Sequence, residues 1–305
     1  METGSVVTVG TFDGVHLGHR AVLAEVDRLA RKQGRERVAY VFEFPPRATL
    51  GTDPFAGLIL PIDLREDLLR GFVDRVVLAR FAEVRNLSPG TFVEEVLVQR
   101  LGTRTVVVGE GFRFGSGRGG DVAMLRTLGR EHGFDVRSAA PAMADGDPVS
   151  STRIRRLLIE GRIGEAAALL GRPPILVGYV TEGEKIERDL GYPTANLSVG
   201  PQILFPADGI YFAHVFVNGG RDHGLLYVDS RPTIAESDRR CKVHLLSPPE
   251  GELYQTRMEV HVLDRLRDDR AFSTLDALGD QIARDIDAAR ELIEHHPFSG
   301  GPIGG

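Results

Sequence analysis

The sequence predicts an α/β protein of two domains: a doubly wound parallel sheet first, then a small antiparallel β-barrel with a C-terminal helix. Three observations carry this reading. Short apolar, β-branched runs alternate with helix-periodic segments through the first half, the pattern of strands buried on both faces by crossover helices. After Arg172 the pattern breaks at Pro173-Pro174, and strand-like runs follow, punctuated by Gly, Pro and Asp. At 305 residues, the chain is also longer than a single core usually serves. These observations place a first domain at 1–172, a second at 173–296 and a tail at 297–305 too glycine-rich to fold.

In chain order, 6–10, 38–44, 76–79 and 105–109 read as strands, with 134–139 as a fifth. Helical periodicity fills 20–32, 64–71, 88–101 and 121–132. A parallel sheet built this way offers its ligand site at the carboxyl ends of the strands. In the second half, strands are expected at 175–181, 209–217, 224–228, 241–246 and 257–263. The segment 275–295 closes the chain with apolar residues at helical spacing.

Composition excludes several classes. Hydrophobic content of 42% and charged content of 26% are ordinary for a globular protein, and no run approaches the length of a membrane span. A net charge of −6 with no strongly basic domain argues against a nucleic-acid partner. The single cysteine excludes an internal disulfide framework and suits a reducing cytoplasm. The start, METGSVVTVG, lacks the basic and apolar regions of a secretory signal. The expected partners are small molecules, with a homo-oligomer left open.

The most informative stretch is 6–19, VVTVGTFDGVHLGH. A buried strand turns through Gly10 and Gly14 and enters a helix at a pair of histidines, His16 and His19, with Gly18 between them. Free backbone N–H groups and the positive dipole end make a helix start an anion site. Two imidazoles added there form a cradle for a triphosphate. A capping turn with incidental histidines is the bland alternative, and a zinc pair lacks further ligands because Cys241 is far along the chain. Glycines at 10, 14 and 18 would let the backbone approach a ligand closely. Phe12 stands in the same turn. Asp13 reads equally as a turn residue or as a Mg2+ or ribose contact.

A second anion motif is Ser150, Ser151, Thr152, Arg153 and Arg155. Hydroxyls followed by arginines suit phosphate oxygens, although Ser-Ser-Thr alone reads as a helix cap. The stretch 112–121, FRFGSGRGGD, reads as a flexible glycine loop. Pro193, Thr194, Ala195 and Asn196 read alone as a turn.

Taken in order, GTFDGVHLGH (10–19), VVVGEGFRFGSGRGGD (106–121), PVSSTRIRRLL (148–158), LGYPTANL (190–197), SRPTI (230–234), ELY (252–254) and QIARDIDAAR (281–290) resemble the prokaryotic bifunctional riboflavin kinase/FMN adenylyltransferases. The likeness covers nearly the whole chain. It implies a first domain that is a nucleotidyltransferase, moving AMP from ATP onto the phosphate of FMN to give FAD and pyrophosphate with Mg2+. CTP is admitted as a donor. His16, His19 and Arg155 become the catalytic set, and Gly10, Phe12, Asp13, Gly14, Gly18 and Ser150 to Arg153 bind the nucleotide. Pro45, Gly111, Phe112 and Arg113 fall on the flavin or acceptor side. The second domain resembles riboflavin kinase, with Thr194 and Asn196 as the implied Mg2+ ligands.

The pattern also breaks. Where the family carries its kinase glutamate, in the strand after the R-P-T segment, this chain has Lys242, and an ammonium group cannot accept the ribityl proton. Asp229 and Glu236 are nearby carboxylates in sequence. Asp229 also replaces a family glycine, Glu187 stands before Arg188 where another glycine is usual, and Gln255 follows Leu253-Tyr254 in place of a third. In the first domain, Pro45, followed by Pro46, replaces a histidine, Gly111 replaces an acidic or amide residue, and Thr11 replaces an asparagine. Two further readings follow: a divergent paralogue that moves AMP or CMP onto another phosphorylated acceptor, and a non-catalytic flavin or nucleotide sensor.

Overall fold

A computed structural model describes residues 4–45, 55–182, 192, 194–230, 239–247, 249, 251–298 and 300–303. Pro46, Glu187, Arg188, Pro193 and Glu236 lie outside the described residues. The chain divides into two compact units, Met1–Ala56 with Ile62–Ser151, and Gly57–Pro61 with Thr152–Gly305.

The first unit is a five-stranded parallel sheet: β1 (Ser5–Gly10), β2 (Glu36–Phe42), β3 (Arg75–Ala79), β4 (Thr103–Gly109) and β5 (Asp135–Ala139). Their order across the sheet is β3-β2-β1-β4-β5, and every pairing is parallel. The order reverses beside β1, so the crevice at the carboxyl ends of β1 and β4 is the topological switch point. Val6, Val7 and Val9 of β1 are all buried, as a central strand covered on both faces requires.

Helices α1 (Leu17–Gln33) and α2 (Ile62–Arg70) cover the sheet, and both begin earlier than the sequence reading placed them. Helix α3 runs from Pro89–Thr91 into Phe92–Arg100, where the winding widens to the π form, and α4 spans Val122–His132. The expected flexible loop at 112–121 is instead a packed hairpin. Arg113–Phe114 pairs with Gly120–Asp121, and a Cβ on Gly115 would lie 2.8 Å from Pro89.

Helices α5 (Ser151–Ile159) and α6 (Ile163–Leu170) follow the sheet in the chain, and the division into compact units falls between Ser151 and Thr152. The Ala207 N–H donates to Leu158 O at 3.0 Å, and Leu58 of the Gly57–Pro61 segment bridges to Ile203. The barrel strands are β6 (Ile175–Thr181), β7 (Ala195–Val199), β8 (Gly209–Val217), β9 (Gly220–Ser230), β10 (Arg239–Leu245) and β11 (Arg257–Arg267). They close antiparallel in the order β6-β7-β10-β9-β8-β11. Strand β7 is an addition to the sequence reading, which took Thr194–Asn196 for a turn.

Helix α7 (Leu275–Leu292) lays Ile282, Ile286 and Ala289 against Ile210, Phe212 and Leu225. Its N-cap is Thr274, whose hydroxyl accepts from the Ala277 N–H at 3.2 Å. The tail expected to stay unfolded is packed among its described residues. Phe298 stacks on His214 at 4.1 Å, and the Ile303 N–H donates to buried Glu259 at 2.8 Å.

Candidate functional site

In the first unit the predicted residues gather at the carboxyl ends of three neighbouring strands. The turn Gly10–His16 follows β1, Pro45 follows β2, and Gly111, Phe112 and Arg113 follow β4. The β1 turn is held in an unusual backbone. Phe12, Gly14 and Val15 have φ of 52°, 86° and 41°. A β-branched residue at positive φ is strained by about 1–3 kcal/mol, and persists only where the surroundings over-determine it. Here Phe12 and Val15 are buried with Leu23, Val41 and Leu69, and the Val15 N–H closes the turn on Phe12 O at 2.9 Å.

The turn delivers two rings to the start of α1. His16 is the N-cap residue, and its Nδ1 accepts from the His19 N–H at 3.3 Å. With Nδ1 accepting, the proton of a neutral ring belongs on Nε2. The cap is made by Nδ1, across the ring from Nε2, so the capping and anion readings are compatible. The His19 ring stacks on His16 at 3.6 Å and meets Phe12 at 5.2 Å. Gly18 is required by packing: a Cβ there would lie 2.9 Å from Val149 O and 3.0 Å from His16 Cε1.

The same approach joins the two anion motifs. Ser151 Oγ donates to Asp13 O at 3.0 Å, tying the start of α5 to the β1 turn. Asp13 itself is buried. Ser150 directly precedes α5. Thr152, Arg153 and Arg155 continue along α5 into the second unit, where Arg155 Nε donates to Gly57 O at 2.8 Å.

On the acceptor side, Phe112 stacks on Phe114 at 5.7 Å, and Arg113 lies 3.5 Å from Asp121. A Cβ on Gly111 would meet nothing within 4 Å, so the position has room for a larger side chain. Asp121 caps α4 through the Met124 N–H at 2.9 Å, and this bond chiefly holds its carboxyl below the usual carboxylate range. The sequence reading missed one residue here. Arg65 of α2 is fully buried, and Nη1 donates to Thr11 O, Phe42 O and Glu43 O at 3.0, 3.1 and 3.1 Å. Its signal was its spacing: it lies four residues before buried Leu69 and therefore on the inward stripe of α2.

The second unit holds a cavity of about 620 Å3 between the barrel and the segment leading into α7. Its wall follows one cross-strand row: Asn196 pairs with Lys242, Lys242 with Tyr227, Tyr227 with Ile210, and Ile210 with Arg267. Lys242, Tyr227, Ile210 and Arg267 all line the cavity, as do Thr194 and Asp229. Arg267 is held by Asp285 through two bonds of 2.8 and 2.7 Å. Asp269 also lines the cavity. Burial pushes its carboxyl up, and the charge of Asp229 adds to the effect, against a backbone bond from Arg270.

Thr194 and Asn196 offer hard oxygen donors, but the side chain directly across from Asn196 is a lysine. Cross-strand partners lie about 4.5–5.5 Å apart at Cβ. An ammonium group there would add positive charge beside these oxygen donors.

Comparison with known proteins agrees with the two-unit architecture. Residues 1–153 match the FAD synthetase family and residues 170–293 the riboflavin kinase family. The bifunctional riboflavin kinase/FMN adenylyltransferase of Escherichia coli K12 is 35% identical over 297 residues, covering 96% of this chain and 94% of its own. The Pseudomonas fluorescens protein of the same name is 38% identical, with 95% and 93% covered. A crystal structure from Streptococcus pneumoniae described as a macrolide-efflux protein superposes with a TM-score of 0.85 at 28% identity, covering 94% of each chain. Among the described residues here, no helix is long and apolar enough to cross a membrane. With matches to both family halves and relatives of this identity over nearly its full length, the chain belongs to the bifunctional riboflavin kinase/FMN adenylyltransferase family.

Proposed function

We propose that the first domain is a working nucleotidyltransferase that moves AMP from ATP to the phosphate of FMN, and that the barrel has lost riboflavin phosphorylation. The stacked pair of His16 and His19, at the N-terminus of α1 beside the switch point, carries the first half of this reading. A phosphate oxygen of FMN attacks the α-phosphorus, the bond to the bridging oxygen breaks, and pyrophosphate leaves. The nucleophile is already an anion, so the protein has no proton to remove. Its task is alignment and neutralisation of charge that builds on the transferring phosphoryl group. The rings of His16 and His19 and the positive end of the α1 dipole suit that charge. Ser150, Ser151, Thr152, Arg153 and Arg155 suit the departing β- and γ-phosphates. Mg2+ bound with the nucleotide would supply further neutralisation of the phosphate charge. The chain would work in the cytoplasm on small-molecule substrates.

Lys242 supports the second half. It lines the barrel cavity opposite Asn196, and an ammonium group cannot take a proton from the ribityl hydroxyl. The cavity itself persists, which suits a domain that binds flavin without phosphorylating it.

A second reading rests on Pro45 and Gly111. Both follow strands next to β1, and both depart from the family pattern while the histidine pair does not. The same chemistry would then serve another phosphorylated acceptor, with AMP or CMP as the group moved. The test is His19→Ala, assayed with ATP and FMN for FAD and pyrophosphate. Loss of at least ~100-fold in turnover is expected from removing one charge-stabilising group. Turnover like that of the unaltered protein would overturn the triphosphate cradle. Pyrophosphate release that depends on some acceptor other than FMN would favour the second reading.

A further inference from the structure

We infer that Arg65 is a positioning residue for nucleotidyl transfer: its buried guanidinium holds the carboxyl ends of β1 and β2 together and so sets the turn that carries the histidine pair. The inference rests on the nucleotidyl-transfer reading and adds a residue to it.

Nη1 of Arg65 reaches three carbonyls: Thr11 just past β1, Phe42 at the end of β2 and Glu43 beyond it. Nη1 carries two hydrogens, so the three acceptors share them in a three-centre arrangement. Bonds from a charged donor are stronger than neutral ones, and with no exposed surface this donor faces no competition from water.

The position matters because of what lies downstream of Thr11. Phe12 is the next residue and begins the positive-φ turn, its ring meets His19 at 5.2 Å, and His19 stacks on His16 at 3.6 Å. Helix α2 secures this turn twice, by packing Leu69 against Phe12 and Val15 and by bonding Arg65 to the Thr11 carbonyl. Without Arg65 the apolar packing remains, but the carbonyl of Thr11 and the end of β2 are free to part. Displacement of about 1 Å at a group that aligns reactants costs on the order of 100-fold in rate.

The experiment compares Arg65→Lys and Arg65→Met in the full chain, measuring kcat and KM for ATP and FMN well below each variant's melting temperature. The methionine variant should lose kcat by ~30-fold or more per folded molecule with both KM values within about threefold, and lysine should recover part of the loss. Riboflavin affinity of the barrel, read by flavin fluorescence, should not change. Imidazole 15N shifts of His16 and His19 should move in the methionine variant even if the unaltered protein makes no FAD. That last readout separates failure of this inference from failure of the FMN reading. A lowered melting temperature with unchanged kcat and unchanged imidazole shifts would show a structural role only and overturn the proposal. If Arg65→Met does not fold, an unchanged kcat and unchanged shifts in Arg65→Lys would overturn it equally.

Discussion

The two ends of this chain have kept different things. In the first domain the proposed charge-handling residues sit together, with an imidazole whose Nδ1 caps α1, a second ring stacked on it, and a serine bonded to the β1 turn. On the proposed reading, Pro45 and Gly111 depart from the family pattern on the side where an acceptor would sit. In the barrel the container persists, a cavity of about 620 Å3 walled by one cross-strand row. On our proposal the chemistry is what differs there: a lysine stands between Asn196 and Tyr227, and an aspartate lies two residues along from that tyrosine. Binding and reaction are separable in a folded site. A cavity depends on many apolar side chains, whereas proton transfer depends on one group at one position.

The sharpest way to break that contrast is Lys242→Glu, which restores a carboxylate in the wall of the cavity. Riboflavin phosphorylation should rise from undetectable to measurable with ATP and Mg2+, followed by flavin chromatography. If it does not, Asp229 and Gln255 share in the loss.

A smaller effect is expected away from both sites. The tail packs on a cross-strand row of histidines, His223 with His214 and His214 with His261. Phe298 stacks on His214 and lies 4.5 Å from His223. Facing this cluster are Arg221 over the Phe298 ring, Glu259 bonded to His261 at 2.7 Å, Arg257 3.6 Å from Glu259, and the His296–Asp264 pair. Burial chiefly holds the His214 pKa below its ordinary value, and neighbouring histidine charge adds to this against a bond to the backbone of His296. The unfolded chain therefore binds more protons than the folded one, so stability rises with pH across this window. The contribution is complete above about pH 6.5, the ordinary histidine value, and declines as pH falls below it. Melting temperature should drop on acidification from pH 7 to 5.5, and His214→Phe should flatten part of that slope.

Much of this was legible beforehand because local pattern and tertiary role agreed. The buried strands of the parallel sheet are runs of Val and Tyr that no other environment would accept. The histidine pair sits where a strand turns into a helix, which the glycines announced. Strand β7 was hidden because Thr194 to Asn196 has turn chemistry, and only pairing with β6 and β10 makes it extended. The hairpin at 112–121 was taken for a loop because its glycines speak of freedom, although Gly115 is there to clear Pro89. The tail was misread for the same reason: one phenylalanine anchors a glycine-rich segment that composition alone calls disordered. Arg65 escaped because an arginine in an amphipathic helix reads as solvent-facing unless its partners, three backbone carbonyls far away in sequence, are known.

The most direct test of the proposal, a working transferase joined to a disabled kinase, is a product assay on one preparation of the full chain. Riboflavin and FMN are offered separately with ATP and Mg2+, and flavin products are separated by chromatography. The account predicts FAD from FMN and no FMN from riboflavin. FMN formed from riboflavin at a rate comparable to FAD formation would contradict it.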